Sequence, residues 1–240
     1  MTYVFPPPEP NCLTVADSGL FFPIRRIFCI GRNYEEHALE MGAVPQRAMP
    51  FFFQKSPTFV VAQNHSGDKI EIRHPSATAD LQYEVELVVA LDTGGRDIAP
   101  ERAAQHIFGY AIGLDMTRRD LQAVFKGNRW PWDMAKNFDD CAPIGVLHRK
   151  ADVGEIRTGN MTLDVNARRR QTGNIDQMIW SVNEIISEIS KLVELNPGDI
   201  LFTGTPAGVG RVDDRDTLCA TIDQLGSIHV TIKKIDRHPG

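Results

Sequence analysis

Few of the features that announce the commoner enzyme and binding classes are present in this chain. Its 240 residues include only four cysteines, Cys12, Cys29, Cys141 and Cys219, none in a C-x-x-C pair. Neither a zinc knuckle nor a disulfide framework is indicated, so the thiols are expected to be reduced, buried, small apolar side chains. There is no G-x-S-x-G to form a nucleophile elbow, no H-E-x-x-H to hold zinc and no Gly-Lys-Ser/Thr to close a phosphate-binding loop. No stretch approaches the ~20 apolar residues needed to span a bilayer. The start, MTYVFPPPEP, lacks the basic residues and apolar run of a secretory signal. A cytoplasmic, soluble chain is the expectation. Positive charge is in deficit, with 26 Lys and Arg against 31 Asp and Glu and a sequence pI of about 5.8. No basic face is offered to nucleic acid or to an anionic membrane, which leaves a small molecule as the expected partner.

The chain does have enough apolar residues for a sizeable core, 42% hydrophobic against 24% charged. Residues 1–22 are Pro-rich and weakly periodic, and read as an N-terminal arm lying on the body or on a partner chain; residues 23–240 read as a single catalytic domain. Short β-type runs recur at 27–30, 59–61, 69–72, 84–91, 108–114, 161–165, 200–203 and 228–232. They predict an α+β fold that is mostly β, with a few covering helices. The clearest helical signal follows Ile175, where Met178, Ile179, Val182, Ile185, Ile186, Ile189, Leu192 and Val193 recur at three- and four-residue steps until Pro197-Gly198. A short helix is predicted from Tyr34 to Met41, with Asn33 as N-cap, Glu36 as its capping-box partner and Gly42 as the stop. Another is predicted from Thr117, with Asp120 in the box position.

In Tyr83-Glu84-Val85-Glu86-Leu87-Val88-Val89-Ala90-Leu91, alternation places Tyr83, Val85, Leu87, Val89 and Leu91 on one strand face. Glu84 and Glu86 share the other, roughly 7 Å apart at the ~3.4 Å rise per residue, and run into apolar Val88 and Ala90. Two like charges at the edge of an apolar face need a cation or a proton. A solvated pair of glutamates on an exposed strand would give the same pattern. Asp115 follows the apolar run 108–114 at the end of a second strand, as a third ligand or as a turn residue. Three carboxylates suit Mg²⁺ or Mn²⁺ better than zinc.

His37 and Glu40 lie three apart on one helix face, so the carboxylate can orient the imidazole as a general base; a surface pair on an amphipathic helix would look the same. Lys55 and Lys136 sit among apolar and turn residues and could hold an oxyanion or move a proton, although rim lysines that snorkel are commoner. The loop Gly204-Thr205-Pro206-Ala207-Gly208-Val209-Gly210 can aim N–H groups at an anion, or simply connect two strands tightly.

Taken together, the chain resembles the fumarylacetoacetate hydrolase family from about Ile27 to Ile232. The resemblance is carried by Ile30-Gly31-Arg32-Asn33-Tyr34 with His37 and Glu40, Phe53-Gln54-Lys55, Tyr83 to Leu87, Gly113 to Asp120, Ala135-Lys136 and Phe202 to Gly210. It implies a mixed β-sandwich roll of the family's C-terminal domain type, in a homodimer. It further implies Mg²⁺ or Mn²⁺ on Glu84, Glu86 and Asp115, a water-activating His37–Glu40 dyad on a segment that closes over substrate, and Lys136 in the active site. Arg32, Gln122 and the Thr205 loop would contact the substrate. The chain has no room for the extra N-terminal domain of long members and is similar to the short members that act on fumarylpyruvate in gentisate catabolism. The activity so implied is hydrolysis of the C–C bond of a 2,4-dioxo acid, here giving fumarate and pyruvate. Oxaloacetate decarboxylation or isomerisation of an unsaturated oxo acid would use the same metal site, and a non-catalytic oxoacid-binding protein would keep the same scaffold. Two departures from the family pattern, Arg215 where Gly is expected and Leu225-Gly226-Ser227 in place of a Gly-x-Gly step, put the C-terminal strand geometry in doubt rather than the chemistry.

Overall fold

The computed structural model describes residues 2–42, 47 and 49–234. A large mixed sheet runs in the order Phe52–Lys55, Arg26–Ile30, Asp199–Phe202, Val85–Leu91, Ile107–Leu114, Ala142–Ile144 and Val60–Ala62, with His148–Arg149 also pairing on Ile107–Leu114. A second sheet of five strands runs Arg168–Asn174, Asn160–Val165, Thr217–Ile222, Gly226–Lys234 and Lys69–His74. Thr117–Arg118, Leu81–Tyr83 and Gly210–Val212 form a small three-stranded ribbon. The predicted β-rich class is the observed one. Residues from both large sheets share one apolar core, Leu87, Leu91, Ile112 and Phe202 from the first meeting Leu163, Ala220 and Ile232 from the second. Leu13, Val15 and Phe22, on either side of a hairpin of Cys12–Thr14 and Phe21–Pro23, join that core. No helix among the described residues is long and apolar enough to cross a membrane.

Every side chain of Val85–Leu91 is buried, because the strand lies inside the sheet with a covered surface on both sides. Its antiparallel register against Ile107–Leu114 sets Val85 opposite Leu114 and Glu86 opposite Gly113. Carried one residue further, that register puts Glu84 beside Asp115, whose N–H donates to the Glu84 carbonyl at 2.9 Å. Residues 31 positions apart in sequence thus reach the same end of the sheet because of pairing alone.

Several expected boundaries move for identifiable reasons. The strand predicted at 84–91 starts at Val85, since Glu84 sits at the break after Leu81–Tyr83. The run at 59–61 begins as a 3₁₀ turn, Pro57–Phe59, where Pro57 follows a capping Ser56. The helix after Ile175 comes in two pieces, a turn Ile175–Gln177 capped by Asn174 and a helix Val182–Leu192 capped by Ser181, whose hydroxyl and backbone N–H exchange bonds with Glu184. Val182, Ile185, Ile186 and Ile189 form its buried face, and it packs beside the helix Pro100–Ala103. The helix predicted from Thr117 starts at Arg119, and Asp120 turns away from a box to accept from the Thr78 hydroxyl at 2.5 Å and the Ala79 N–H at 2.9 Å. Cys29 and Cys141 are buried, but Cys12 and Cys219 are half-buried, and all four are free. Arg215 takes the left-handed backbone expected of glycine, with φ +68°, and its N–H donates to Ile232 at 2.8 Å, so the C-terminal hairpin keeps its register.

Candidate active site

Three buried acids meet three buried cations, and all of them but Lys55 line one pocket. Glu84, Glu86 and Asp115 are 4%, 2% and 1% exposed, and one oxygen from each lies within 4.8 Å of the others. Lys136 Nζ donates to Glu84 Oε2 and to Asp115 Oδ2, both at 2.7 Å. Lys55 Nζ lies 2.8 Å from Asp115 Oδ1, an ion pair without hydrogen-bond alignment, and donates to the Met116 carbonyl at 3.1 Å and to the Lys136 carbonyl. Arg119 donates to Glu84, to Gln82 Oε1 at 2.7 Å and to Gln122 Oε1 at 2.7 Å. Both lysines are therefore buried rather than snorkelling from the rim; an ion pair with an acid replaces the water each has lost.

The electrostatics divide the acids. Burial would push Glu84 up, but Lys136 and Arg119 override it and hold the carboxyl well below the usual range. Burial would pull Lys55 down, and Asp115 overrides that to hold the ammonium above the usual lysine range. Glu86 has no ion pair among the described residues and accepts from the Gly204 N–H at 2.7 Å. Burial, then the charges of Asp115 and Glu84, push its carboxyl well up. A hard cation among these oxygens is the partner that ionised Glu86 lacks, so the residues fit Mg²⁺ or Mn²⁺ by donor type, number and charge. Glu84, Glu86 and Asp115 would hold it.

His37, on the helix Glu35–Glu40, faces the same pocket, and its Nδ1 is 3.2 Å from Glu40 Oε2. Asn33 is not the N-cap of this helix. Tyr34 occupies that position without a side-chain bond, and the Asn33 amide is buried instead, donating to the Trp180 and Thr203 carbonyls at 2.9 and 2.8 Å while its oxygen accepts from the Trp180 N–H at 2.7 Å. The helix is thereby pinned at its start. At its other end both Glu40 oxygens are 3.2 Å from the Gly208 N–H. The glycine loop does aim N–H groups at anions, and those anions are the protein's own carboxylates, Glu86 through Gly204 and Glu40 through Gly208. Gly204 and Gly208 have φ of +93° and +97°, and a Cβ on Gly208 would lie 2.1 Å from the Arg170 carbonyl oxygen. Glycine is required at both positions.

Arg32, Gln122, Thr205 and Lys136 line the pocket with His37 and the acids, and Glu40 stands behind His37. Gln122 is engaged by Arg119, and the Thr205 hydroxyl accepts from Gln171 Nε2 at 2.8 Å. The sequence offers Arg119, with Arg32, Arg118 and Arg129, as a possible clamp for a distal carboxylate, whereas nothing in it singles out Trp132 or Lys126, which line the pocket as well.

A sheet that gathers acids from two strands into one oxygen-donor pocket defines the class, a β-rich protein built around a hard-cation centre. The chain belongs to the fumarylacetoacetate (FAA) hydrolase C-terminal family, whose model matches residues 26–233. Crystalline fumarylpyruvate hydrolase from Pseudomonas aeruginosa, in complex with Mn²⁺ and pyruvate, is similar at 45% identity and a TM-score of 0.95, covering 98% of this chain and 100% of that one. Fumarylpyruvate hydrolase from Ralstonia sp is 36% identical over 185 residues, 76% of this chain and 92% of its own. A mitochondrial oxaloacetate tautomerase from Arabidopsis thaliana is 39% identical over 210 residues, 87% of this chain and 91% of its own.

Proposed function

We propose that the protein is a Mg²⁺- or Mn²⁺-dependent acylpyruvate hydrolase that splits fumarylpyruvate and water into fumarate and pyruvate. The observation that carries this reading is the convergence of the Glu84, Glu86 and Asp115 oxygens with His37 and its partner Glu40 around one pocket. Similarity at 45% identity to a fumarylpyruvate hydrolase in complex with Mn²⁺ and pyruvate supports it.

When bound, the divalent cation supplies a Lewis acid for the oxygens of a 2-oxo acid. His37, with Nδ1 turned to Glu40, uses Nε2 to take a proton from water, and Glu40 stabilises the imidazolium that results. The hydroxide attacks the acyl carbonyl, the bond to the pyruvyl methylene breaks, and its electron pair leaves with the pyruvyl half. Lys136 holds the negative charge that develops there, and the proton that His37 took from water passes to the methylene carbon to complete pyruvate. Thr205 and Gln122 orient the bound acid.

The identity to an oxaloacetate tautomerase favours a second reading, enolisation of oxaloacetate at the same acids. That chemistry needs no activated water, which separates the two. The test follows ultraviolet absorbance of fumarylpyruvate and oxaloacetate with EDTA, Mg²⁺ or Mn²⁺. The expected result is metal-dependent loss of fumarylpyruvate, with kcat down roughly 10²–10⁴-fold in His37→Ala while oxaloacetate turnover persists. Fumarylpyruvate left intact by metal-loaded wild type would overturn the hydrolase reading, and equal loss of both activities in His37→Ala would overturn the division of labour.

A further inference from the structure

Resting on the acylpyruvate reading, we propose that the acyl half is an extended planar chain ending in a carboxylate, held in an aromatic chamber outside the acid pocket and clamped by Arg32. The acid pocket encloses only about 40 Å³, room for a few waters. A seven-carbon diacid cannot be held there entire. Beside it lies an open cleft of about 450 Å³ walled by Phe51, Phe52, Phe53, Pro131 and Trp132. Arg32, Phe53 and Trp132 line both spaces, so the two lie side by side with these side chains between them.

The wall is built for a flat guest. Phe51 meets Trp132 edge-on, with centroids 5.2 Å apart and planes at 89°, and Phe53 lies 6.4 Å from Trp132. Phe51 is fixed because its ring occupies the space over Gly31, where a Cβ would lie 2.0 Å from Cζ. Ring faces and edges set this way meet the π surface of a conjugated chain, which a puckered saturated chain does not offer.

Arg32 is the guanidinium left to take the far carboxylate. Arg119 is committed to Glu84, Gln82 and Gln122. Arg118 stacks over Phe138 at 4.3 Å and donates to the Met134 carbonyl, and Arg129 is exposed at the end of the helix Arg119–Asn128. Among the described residues no carboxylate pairs with Arg32, which lies 5.6 Å over the Phe51 ring. Its left-handed backbone, φ +59°, is held by the buried hydrogen bonds of the adjoining Asn33. Within the acid pocket, Arg32, Arg119, Lys126 and Lys136 outnumber the three acids even before a metal is added, which suits a dianion better than a monoanion. The one carboxylate in the outer cleft, Asp133, is exposed at its rim and directs a guest carboxylate inward to Arg32.

The test compares kcat/KM for fumarylpyruvate with that for acetylpyruvate, which lacks both the planar chain and the distal carboxylate. Arg32→Asn keeps a residue that tolerates the left-handed backbone, and Trp132→Leu removes the shared wall. The ratio is expected to fall at least tenfold in each, and bent maleylpyruvate to be cleaved at least tenfold more slowly than fumarylpyruvate by wild type. In parallel, fumarate alone is titrated into metal-free protein while the Trp132 indole N–H is followed by NMR, with a shift expected in wild type and lost in Arg32→Asn. An active wild type with an unchanged ratio in both variants would overturn the chamber and leave the hydrolase standing. If wild type cleaves neither acid the reaction reading fails, and absence of the fumarate shift then overturns the chamber as well.

Discussion

The two halves of the pocket are held by different means. Glu84, Glu86 and Asp115 stand at the end of two paired strands inside the sheet, each below 5% exposed, with lysines, an arginine and a backbone N–H fixing them. His37 and Glu40 ride on a six-residue helix without a capping side chain, and Glu40, a third exposed, is tied at its far end by one Gly208 N–H at 3.2 Å. Sheet register sets the acids by contacts that cannot change one at a time, whereas a short helix pinned at its Asn33 start and held at its far end by Gly208 and Lys126 can shift that end without disturbing the core. The cation centre is the rigid half and the base is the adjustable one.

The hardest blow to that contrast is Glu86→Gln. Cation affinity, followed by Mn²⁺ EPR, is expected to fall by at least ~100-fold, since even groups behind the ligands are worth 10–100-fold. The metal-free variant should melt higher than wild type, because it no longer buries an acid crowded by Asp115 and Glu84. Unchanged Mn²⁺ binding would remove the acids from the cation centre. Gly208→Ala is the next sharpest probe. A Cβ 2.1 Å from the Arg170 carbonyl must displace the loop and loosen Glu40. We expect kcat to drop on the order of tenfold, less than the roughly 10²–10⁴-fold of losing the general base outright, with Mn²⁺ affinity within about twofold. Equal damage to affinity and kcat would mean that the two halves are held as one. The smallest effect calibrates both. Asp140 accepts from Arg73 Nε at 2.6 Å, linking the second sheet to the segment before Ala142–Ile144. Burial would raise its carboxyl, but the Arg73 bonds hold it below the usual aspartate value. A depressed folded-state pKa contributes stability above the unfolded value and loses it as pH falls through the folded one. Asp140→Asn should therefore cost about 0.2–1 kcal/mol in urea melts at pH 7 and nothing near pH 2. A deficit that persisted at low pH would show that packing, not charge, holds this contact.

What was legible in the chain was what depends on local periodicity. The alternation from Tyr83 to Leu91 put Glu84 and Glu86 on one side, and three-residue spacing paired His37 with Glu40. What was hidden depended on partners far away in sequence. Asn33 had the spacing of a helix cap, yet it binds backbone 147 and 170 residues away. Lys55 and Lys136 could not be told from rim lysines until the sheet enclosed Asp115 between them. The glycine loop's sequence fits both a donor of N–H groups and a tight strand connection, and that it donates to Glu86 and Glu40 follows only from tertiary contact.

The backbone at Arg32 also limits how this protein can be retuned. A left-handed φ admits Gly, Asn or Asp readily and branched or bulky residues poorly, so a new guanidinium-free clamp has few candidates at that position. Phe53 sits in an extended strand and Trp132 has φ −89°, conformations open to nearly any side chain. A switch of acyl preference, by selection or by design, would therefore advance through the aromatic wall while the arginine stayed in place.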